Sequence, residues 1–254
     1  MMAVVGVLSL IWKLYVGIVF FTTALLLYPV IFPFLFKESN KKKAFKIFVF
    51  WSWLFRIVCF YHVRRMEVPE LPNEPHIILA NHMSYLDIFL MYSIHPNHPF
   101  LFLGKKELLK YPLIGTYFRR LNIPVYRDSR IKAARSLIQA RQEVRKGWSI
   151  VIFPEGGIPD LPPKMVRFKA GAFRLAKDLE LPIVSMTYIN NHRLFTDPER
   201  ILGVARPGIS KVVIHPTISA EEVRDASLKD LSKRCFDLIE GPLLKEYPEL
   251  NDKK

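Results

Sequence analysis

The longest uncharged segment of the sequence, residues 14–36, places the strongest constraint on the fold. It contains 23 residues without a single Asp, Glu, Lys or Arg, and about 20 apolar residues are enough to cross the core of a bilayer. A cleaved signal peptide would need a basic start and a small-residue cleavage site, whereas this segment runs into FPFLFKESNKKK. We therefore expect a retained membrane anchor.

The form of the anchor is open on the sequence alone. Pro29 and Pro33 interrupt the second half of the apolar segment, and proline breaks or kinks a helix. A second apolar stretch, residues 44–61, carries Lys46 and Arg56, which is typical of a helix that lies in the membrane interface. The anchor, residues 1–65, is therefore either one transmembrane helix or a two-helix monotopic hook.

The charge of the chain indicates an anionic partner. There are 37 Lys and Arg residues against 23 Asp and Glu, which gives a formal net charge of +14. The mean hydropathy is nonetheless positive, +0.15. Because basic residues flank the second apolar stretch, we expect membrane lipids as partners, no nucleic acid, and the chain after residue 37 on the cytoplasmic face. These residues are Lys37, Lys41, Lys42, Lys43, Arg64 and Arg65.

The remainder of the chain, residues 66–254, has the pattern of one α/β domain. Short apolar segments predict buried strands, and the segments between them predict helices over residues 130–146, 168–179 and 220–238. We expect a mixed, largely parallel sheet flanked by helices and preceded by the anchor. The predicted strands are HIILA (76–80), FLFLG (100–104), IPVY (123–126), WSIVIF (148–153), PIVSMTYI (182–189) and KVVIH (211–215).

The cysteine and histidine patterns give no indication of a metal site. Cys59 and Cys235 lie in apolar surroundings of the sequence and are expected to be buried thiols. No Cys or His spacing typical of metal ligands occurs. We therefore expect no metal site, and we expect no organic cofactor.

His82 differs from the other histidines because it follows a predicted buried strand directly, where α/β folds place their sites. Asp87 comes five residues later, and the two side chains meet only if His82 lies in the turn before a helix. Asp87 would then fix the imidazole tautomer and leave the other ring nitrogen as a general base. Ser84 lies between them without a nucleophile motif and is expected to cap the helix.

Five segments in order resemble the glycerolipid acyltransferases, the group that contains 1-acylglycerol-3-phosphate acyltransferase. They are NHMSYLD (81–87), GKKEL (104–108), LNIPVYRD (121–128), VIFPEGG (151–157) and LPIVSM (181–186). The resemblance covers roughly residues 75–190. It implies transfer of a fatty acyl group from acyl-CoA or acyl carrier protein to the free hydroxyl of a lysophospholipid acceptor, most simply 1-acylglycerol-3-phosphate.

The resemblance also implies roles for individual residues. His82 deprotonates the acceptor hydroxyl and Asp87 orients it. The substrate-binding residues are expected to be Asn81, Lys105, Arg127, Glu155, Gly156 and Gly157. Among them, the guanidinium of Arg127 and the ammonium of Lys105 would hold a phosphate. A backbone N–H at one of the two glycines would face the developing oxyanion. Alternatively, Glu155 is a structural carboxylate that binds backbone N–H groups.

The sequence departs from the family pattern at two points. Leu121 replaces the usual glycine of the third segment, and Gly157, Ile158 and Pro159 follow FPEG in place of threonine, arginine and serine. The missing arginine leaves open whether a phosphate is recognised, although Lys164, Arg167 and Lys169 could supply the charge. The alternatives are the same chemistry on another acceptor, such as a lyso-aminolipid, or a non-catalytic membrane protein that binds anionic lipid.

Overall fold

The computed structural model describes residues 2–111, 113–126, 129–197 and 200–253. Helices and strands alternate through most of the chain after two N-terminal helices. The helices are α1 (Met2–Ile31), α2 (Lys41–Val58), α3 (Tyr85–Ile94), α4 (Ile114–Leu121), α5 (Arg130–Arg145), α6 (Gly171–Asp178), α7 (Asn191–Leu194), α8 (Ala220–Asp225) and α9 (Leu228–Glu246). Shorter 3₁₀ helices span Phe32–Leu35, Glu38–Asn40, Lys106–Lys110 and Pro248–Lys253.

The sheet has the order β1-β7-β6-β2-β5-β3-β4 in the described residues. Each of the six predicted strands is present. The strand that the sequence did not predict is β1, because YHVRRME is mostly polar and only its first residue is buried, as suits an edge strand. The strands are β1 (Tyr61–Glu67), β2 (Ile77–Ala80), β3 (Phe100–Lys105), β4 (Ile123–Val125), β5 (Ser149–Ile152), β6 (Ile183–Tyr188) and β7 (Gly208–Ile214).

The sheet is mixed and largely parallel, as the sequence predicts. Strands β6, β2, β5, β3 and β4 run in one direction, β7 is antiparallel to β6, and β1 is parallel to β7. We call the edge at which these five parallel strands end the carboxyl edge. The connections after β2, β5 and β6 all lie there, and β1 begins there because Tyr61 pairs with Gly208.

Helix α1 packs on α2 and the start of β1, and the Tyr117 hydroxyl of α4 donates to the carbonyl of Ala24 at 3.2 Å. The indole N–H of Trp12 donates to the Tyr61 hydroxyl at 3.0 Å, and the Tyr15 hydroxyl donates to the carbonyl of Val58 at 2.8 Å. Further along, Trp51 Nε1 donates to Thr23 Oγ1 at 2.8 Å. The opposite face of α1 is largely apolar and more than half exposed at Val4, Leu8, Ile11, Leu14, Ile18, Phe21, Leu25 and Leu26.

The segment Val4–Leu35 is long and apolar enough to cross a membrane. The helix itself ends at Ile31, where the two prolines of the sequence change the backbone into the 3₁₀ turn that follows. Helix α2 covers most of the second apolar stretch, with one face buried and Phe50, Trp53 and Ile57 more than half exposed. The division into an anchor over residues 1–65 and a domain over residues 66–254 stays a prediction, and β1 crosses that boundary.

The predicted helices are present, with one correction. The helix at 130–146 matches α5, and the helix at 168–179 begins later, at Gly171. The single helix expected over 220–238 is wrong, because the structure has α8 and α9 there. Ser227 has extended backbone and its hydroxyl accepts from the N–H of Asp230, so it caps a second helix.

A buried histidine lies at the opposite edge of the sheet. His95 is 1% exposed, and neither ring nitrogen has a hydrogen-bond partner in the part of the chain that the structure describes. Burial lowers the pKa of His95 to about 3, and the nearby His76, His98 and Arg65 lower it as well. The site therefore accepts only the neutral imidazole.

We expect His95 to make stability depend on pH. The unfolded chain binds a proton at this residue below about pH 6.5, whereas the folded chain does not until about pH 3. Stability consequently falls as the pH decreases between these values, by up to about 1.4 kcal/mol per pH unit. The substitution His95→Leu should flatten this dependence. Urea unfolding in detergent at pH 7.5 and pH 5 measures it.

The matched control is His62→Leu, because His62 is exposed on β1. It should keep the wild-type difference in the free energy of unfolding between the two pH values. Equal differences for the wild type and His95→Leu would show that this histidine does not carry the effect.

Candidate active site

The turn after β2 is fixed to the neighbouring strand by Asn81. The Asn81 amide nitrogen donates to the carbonyl of Tyr188 at 2.9 Å, and its amide oxygen accepts from the N–H of Tyr188 at 2.8 Å. The side chain is completely buried. In this structure Asn81 therefore holds the turn against β6, and its assignment as a substrate-binding residue stays a prediction.

His82 lies in that turn and Asp87 in the first turn of α3, as the spacing predicts. The ring nitrogen Nδ1 of His82 is 2.9 Å from Asp87 Oδ2. The same carboxylate oxygen accepts from the backbone N–H groups of Met83 and Ser84 at 2.6 and 2.8 Å. Ser84 caps α3 in a capping box with Asp87, so its predicted structural role is confirmed.

The second oxygen of Asp87 is held by a residue that the sequence analysis missed. Asn191, at the start of α7, donates from Nδ2 to Asp87 Oδ1 at 2.7 Å. Its own amide oxygen accepts from the hydroxyl of Ser210 on β7 at 2.6 Å. All three side chains are completely buried. The only signal in the sequence is a polar pair, Asn190 and Asn191, directly after a buried strand.

The environment of the His82 ring leaves one nitrogen for chemistry. A carboxylate only accepts hydrogen bonds, so Nδ1 carries the proton in the neutral ring and Nε2 carries the lone pair. The ring stacks on Phe153, with 4.2 Å between centroids and an angle of 17° between planes. The side chain of His82 is 12% exposed, which leaves an opening through which a substrate can approach.

Glu155 bridges two loops through its carboxylate. Oε1 accepts from the N–H of His82 at 2.8 Å, and Oε2 accepts from the N–H of Val166 at 3.0 Å. Burial raises the pKa of Glu155 to about 7; the two backbone N–H groups lower it, and the charge of Asp87 raises it further. Both oxygens bind backbone, which agrees with the structural alternative for this residue.

Two lysines lie over the glycine pair that follows Glu155. Gly156 has a φ of +86°, and an added Cβ there would come within 2.5 Å of Lys169 Nζ. An added Cβ on Gly157 would lie 3.0 Å from Lys105 Nζ. The two ammonium groups therefore approach the turn from separate segments, Lys105 from the end of β3 and Lys169 from the residues just before α6.

The remaining sequence-based assignments concern Arg127, Gly156, Lys164 and Arg167. Arg127 lies outside the described residues. The N–H of Gly156 donates to the carbonyl of Phe153 at 3.0 Å, so it is already bonded within the turn. Lys164 and Arg167 are exposed on the loop after Gly157. In the described residues no group of three or more His, Cys, Asp or Glu side chains is arranged to hold a metal ion.

Comparisons with known proteins identify the family of the chain. A family model described as Acyltransferase matches residues 62–189. The 1-acyl-sn-glycerol-3-phosphate acyltransferase of Saccharomyces cerevisiae is 31% identical over 216 residues, which cover 76% of this chain and 67% of the yeast protein. The lyso-ornithine lipid O-acyltransferase of Rhodobacter capsulatus is 30% identical over 178 residues, which cover 62% of each protein.

A solved structure has the same fold. The crystal structure of the 1-acyl-sn-glycerophosphate acyltransferase from Thermotoga maritima superposes with a TM-score of 0.77 over 94% of this chain and 96% of that chain, at 19% identity. Together, the matched segment and the shared fold define a lipid-modifying enzyme. This chain belongs to the acyltransferase family. It is an O-acyltransferase of phospholipid biosynthesis, so the non-catalytic alternative is set aside.

We expect the substitution Asn191→Ala to lower activity. Loss of the Nδ2 donor leaves one oxygen of a buried carboxylate unpaired, and Asp87 can then rotate away from His82. If the poorer orientation of His82 raises the activation free energy by about 1.4 kcal/mol, kcat falls tenfold. KM should change little. Steady-state kinetics with a labelled acyl thioester measures both constants.

The adjacent Asn190 provides the control. Its side chain also makes two hydrogen bonds, to the backbone of Ile209 and Lys211 on β7, at 2.8 and 2.9 Å. Asn190→Ala should therefore cost stability without changing kcat by more than about twofold. If both variants lose activity in proportion to stability, Asn191 has no specific effect on His82.

Proposed function

We propose that this protein transfers a fatty acyl group from an acyl thioester to the free hydroxyl of 1-acylglycerol-3-phosphate, which gives phosphatidic acid. The observation that carries the proposal is the 2.9 Å hydrogen bond from His82 Nδ1 to the buried carboxylate of Asp87. It directs a basic nitrogen towards solvent at the carboxyl edge of the sheet. The nucleophile is then supplied by the substrate.

In the proposed reaction, Nε2 of His82 removes the proton of the acceptor hydroxyl as its oxygen attacks the thioester carbonyl. The C–O bond forms, and the carbonyl oxygen takes the negative charge of the tetrahedral intermediate. Collapse of the intermediate breaks the C–S bond, and the thiolate receives the proton from the imidazolium. Asp87 stabilises the imidazolium throughout, and the N–H of Gly157 is the proposed donor to the oxyanion.

The acceptor phosphate is assigned to the cations above the glycine pair. Lys105 and Lys169 both approach this turn. Arg127 lies outside the described residues, and the family resemblance assigns it to the same phosphate. Lys169 then supplies the positive charge that the missing arginine provides in the family pattern. Asn81 and Glu155 act as positioning residues, since their polar atoms bind the backbone of the turn that carries His82.

A second acceptor class keeps the same chemistry. The Rhodobacter capsulatus relative is named for a lyso-ornithine lipid, and the segment after FPEG in this chain departs from the family pattern. A lyso-aminolipid without phosphate is therefore the alternative acceptor. The donor in either case is acyl-CoA or acyl carrier protein.

The N-terminal helices support a monotopic anchor. Trp12 and Thr23 of α1 bind β1 and α2 through side-chain hydrogen bonds. The Tyr117 hydroxyl of α4 donates to the carbonyl of Ala24, so this part of α1 is also tied to the domain and does not stand free to cross a bilayer. The exposed apolar faces of α1 and α2 would enter one leaflet. The basic residues that flank α2 favour the cytoplasmic face as the position of the domain, under the positive-inside tendency.

The central experiment uses purified full chain in vesicles, a labelled acyl thioester as acyl-CoA or acyl carrier protein, and a panel of lysolipids with and without phosphate. We expect product with 1-acylglycerol-3-phosphate, and a 10²- to 10⁴-fold loss, in order of magnitude, for His82→Ala. Transfer that survives His82→Ala would exclude the mechanism. Transfer only to phosphate-free acceptors would favour the lyso-aminolipid alternative.

The phosphate assignment makes a separate prediction. Lys105→Ala and Lys169→Ala should each raise KM for 1-acylglycerol-3-phosphate by about tenfold or more, because a hydrogen bond to a charged group contributes about 1.5–3 kcal/mol. Values of KM for a phosphate-free acceptor should not change. Kinetics on the two acceptors, with a common donor, measures the difference.

Lys110→Ala serves as the control, because Lys110 is an exposed lysine at the end of the 3₁₀ helix that follows Lys105. It removes the same charge from the same part of the surface and should leave both KM values as in the wild type. An equal rise of KM in all three variants would indicate general attraction to the anionic vesicle and no bound phosphate.

A further inference from the structure

Two loops at the carboxyl edge of the sheet carry exposed apolar side chains at their tips. Leu161 is 72% exposed, Ile201 is 64% exposed and Leu202 is 67% exposed. We call these three residues the loop-tip patch. Loop tips are normally occupied by polar or turn-forming residues, and single exposed aliphatic residues need no explanation. The three side chains form one binding surface only if the two loops contact each other and lie on the same side of the protein.

The first loop begins and ends at the active-site turn. It follows Gly157, and the N–H of Val166 on its far side donates to Glu155 Oε2 at 3.0 Å. The other oxygen of Glu155 binds the N–H of His82. Both ends of the loop that carries Leu161 are therefore tied to the turn of the general base through Glu155.

The second loop is a short hairpin with an apolar tip. Phe195 and Ala205 form an antiparallel bridge, and the N–H of Thr196 donates to the carbonyl of Val204 at 2.9 Å. The base of the hairpin is fixed to the catalytic turn, because the Ser84 hydroxyl donates to the carbonyl of Phe195 at 2.6 Å. The tip, with Ile201 and Leu202, projects from this base.

The two loops contact each other and helix α1. The guanidinium of Arg200 donates to the carbonyl of Asp160, and the ammonium of Lys13 donates to the carbonyl of Arg200. A Cβ atom at Gly6 would lie 3.9 Å from the Leu202 side chain. The loop-tip patch therefore lies beside the N-terminal half of α1, on the side of Gly6 and Lys13. The exposed apolar side chains of Val4, Leu8 and Ile11 lie on the far side of the same helix.

The charges around the loop-tip patch favour an anionic surface as its partner. Residues 158–167 and 193–206 contain five basic side chains against three acidic ones, Asp160, Asp197 and Glu199. Apolar side chains that project between basic residues are the composition of segments that enter the interface of an anionic bilayer. The basic residues are Lys164, Arg167, Arg193, Arg200 and Arg206.

We infer that the loop-tip patch inserts into the headgroup region of an anionic membrane, beside α1. This contact presses the carboxyl edge against the bilayer, so that a lysolipid passes from the leaflet to His82 without crossing water. The inference rests on the proposed function only in this last step. A docking site for a second copy or for a carrier protein is the competing use of the same apolar surface.

The first experiment measures depth without any need for activity. Leu161→Cys and Leu202→Cys are labelled with a nitroxide in full chain bound to vesicles of equal parts neutral and anionic phospholipid. The native thiols of Cys59 and Cys235 are buried, and unsubstituted protein gives the background. Glu74→Cys is the control, because Glu74 is exposed just before β2, at the opposite edge of the sheet.

For each label, the measured quantity is the rate of collision with oxygen divided by the rate of collision with a water-soluble nickel complex. We expect this ratio to be several times higher for the labels at 161 and 202 than for the label at 74. Collision ratios at 161 and 202 that equal the ratio at 74, in protein that sediments with the vesicles, would overturn the inference. That outcome would leave the patch to a protein partner.

The second experiment tests the consequence for catalysis. The triple variant Leu161→Ser, Ile201→Ser, Leu202→Ser should raise KM for a long-chain acceptor in vesicles by about tenfold. Its kcat on a short-chain acceptor free in solution should stay within about twofold of the wild type. The control variant Met66→Ser, Val68→Ser, which removes exposed apolar side chains from β1 and the residue after it, should leave both values unchanged.

An unchanged KM in the triple variant would contradict the inference about lipid entry. If the wild type acylates no acceptor at all, the proposed function fails, and the nitroxide depths still decide whether the patch enters the membrane. Thermal unfolding of each variant in detergent excludes a general loss of folding as the cause.

Discussion

The carboxylate of Asp87 is completely buried and accepts hydrogen bonds from His82, from the backbone of Met83 and Ser84, and from Asn191. A charge removed from water costs several kcal/mol unless such donors surround it. Here the donors come from the turn after β2, the start of α3 and the start of α7. Asp87 completes the capping box of α3 with Ser84, and the same side chain orients the imidazole of His82. The start of the helix and the position of the base therefore depend on one residue.

The two strands beside β2 complete this arrangement. From one side, Tyr188 at the end of β6 binds Asn81 through its backbone; from the other, Glu155 after β5 accepts from the N–H of His82. The turn that carries His82 is thus held from both flanks as well as from within. Because β2 is an inner strand of a parallel region, its carboxyl end is the point where all three segments can meet.

Much of this was predictable from the sequence. Apolar runs of four to eight residues give the parallel strands, and the spacing of His82 and Asp87 gives the turn before α3. The edge strand β1 was not predictable, since it buries almost nothing. The contact between Asn191 and Asp87 joins residues 104 positions apart, and nothing local in the sequence specifies such a distance. The role of Glu155 was open for the same reason, since Val166 and His82 meet only in the folded chain.

The two hydrogen bonds of Glu155 mark the boundary between the residues that position the base and the loop that follows Gly157. These two parts can change independently. Residues at the ends of β2, α3, α7 and β7 position the general base. Residues 158–165 form a loop between Gly157 and Val166 and are not among them. This stretch can therefore lengthen, shorten or exchange charge without moving the imidazole. In evolutionary terms, such a scaffold allows acceptors with different headgroups to be recruited while the proton transfer stays the same.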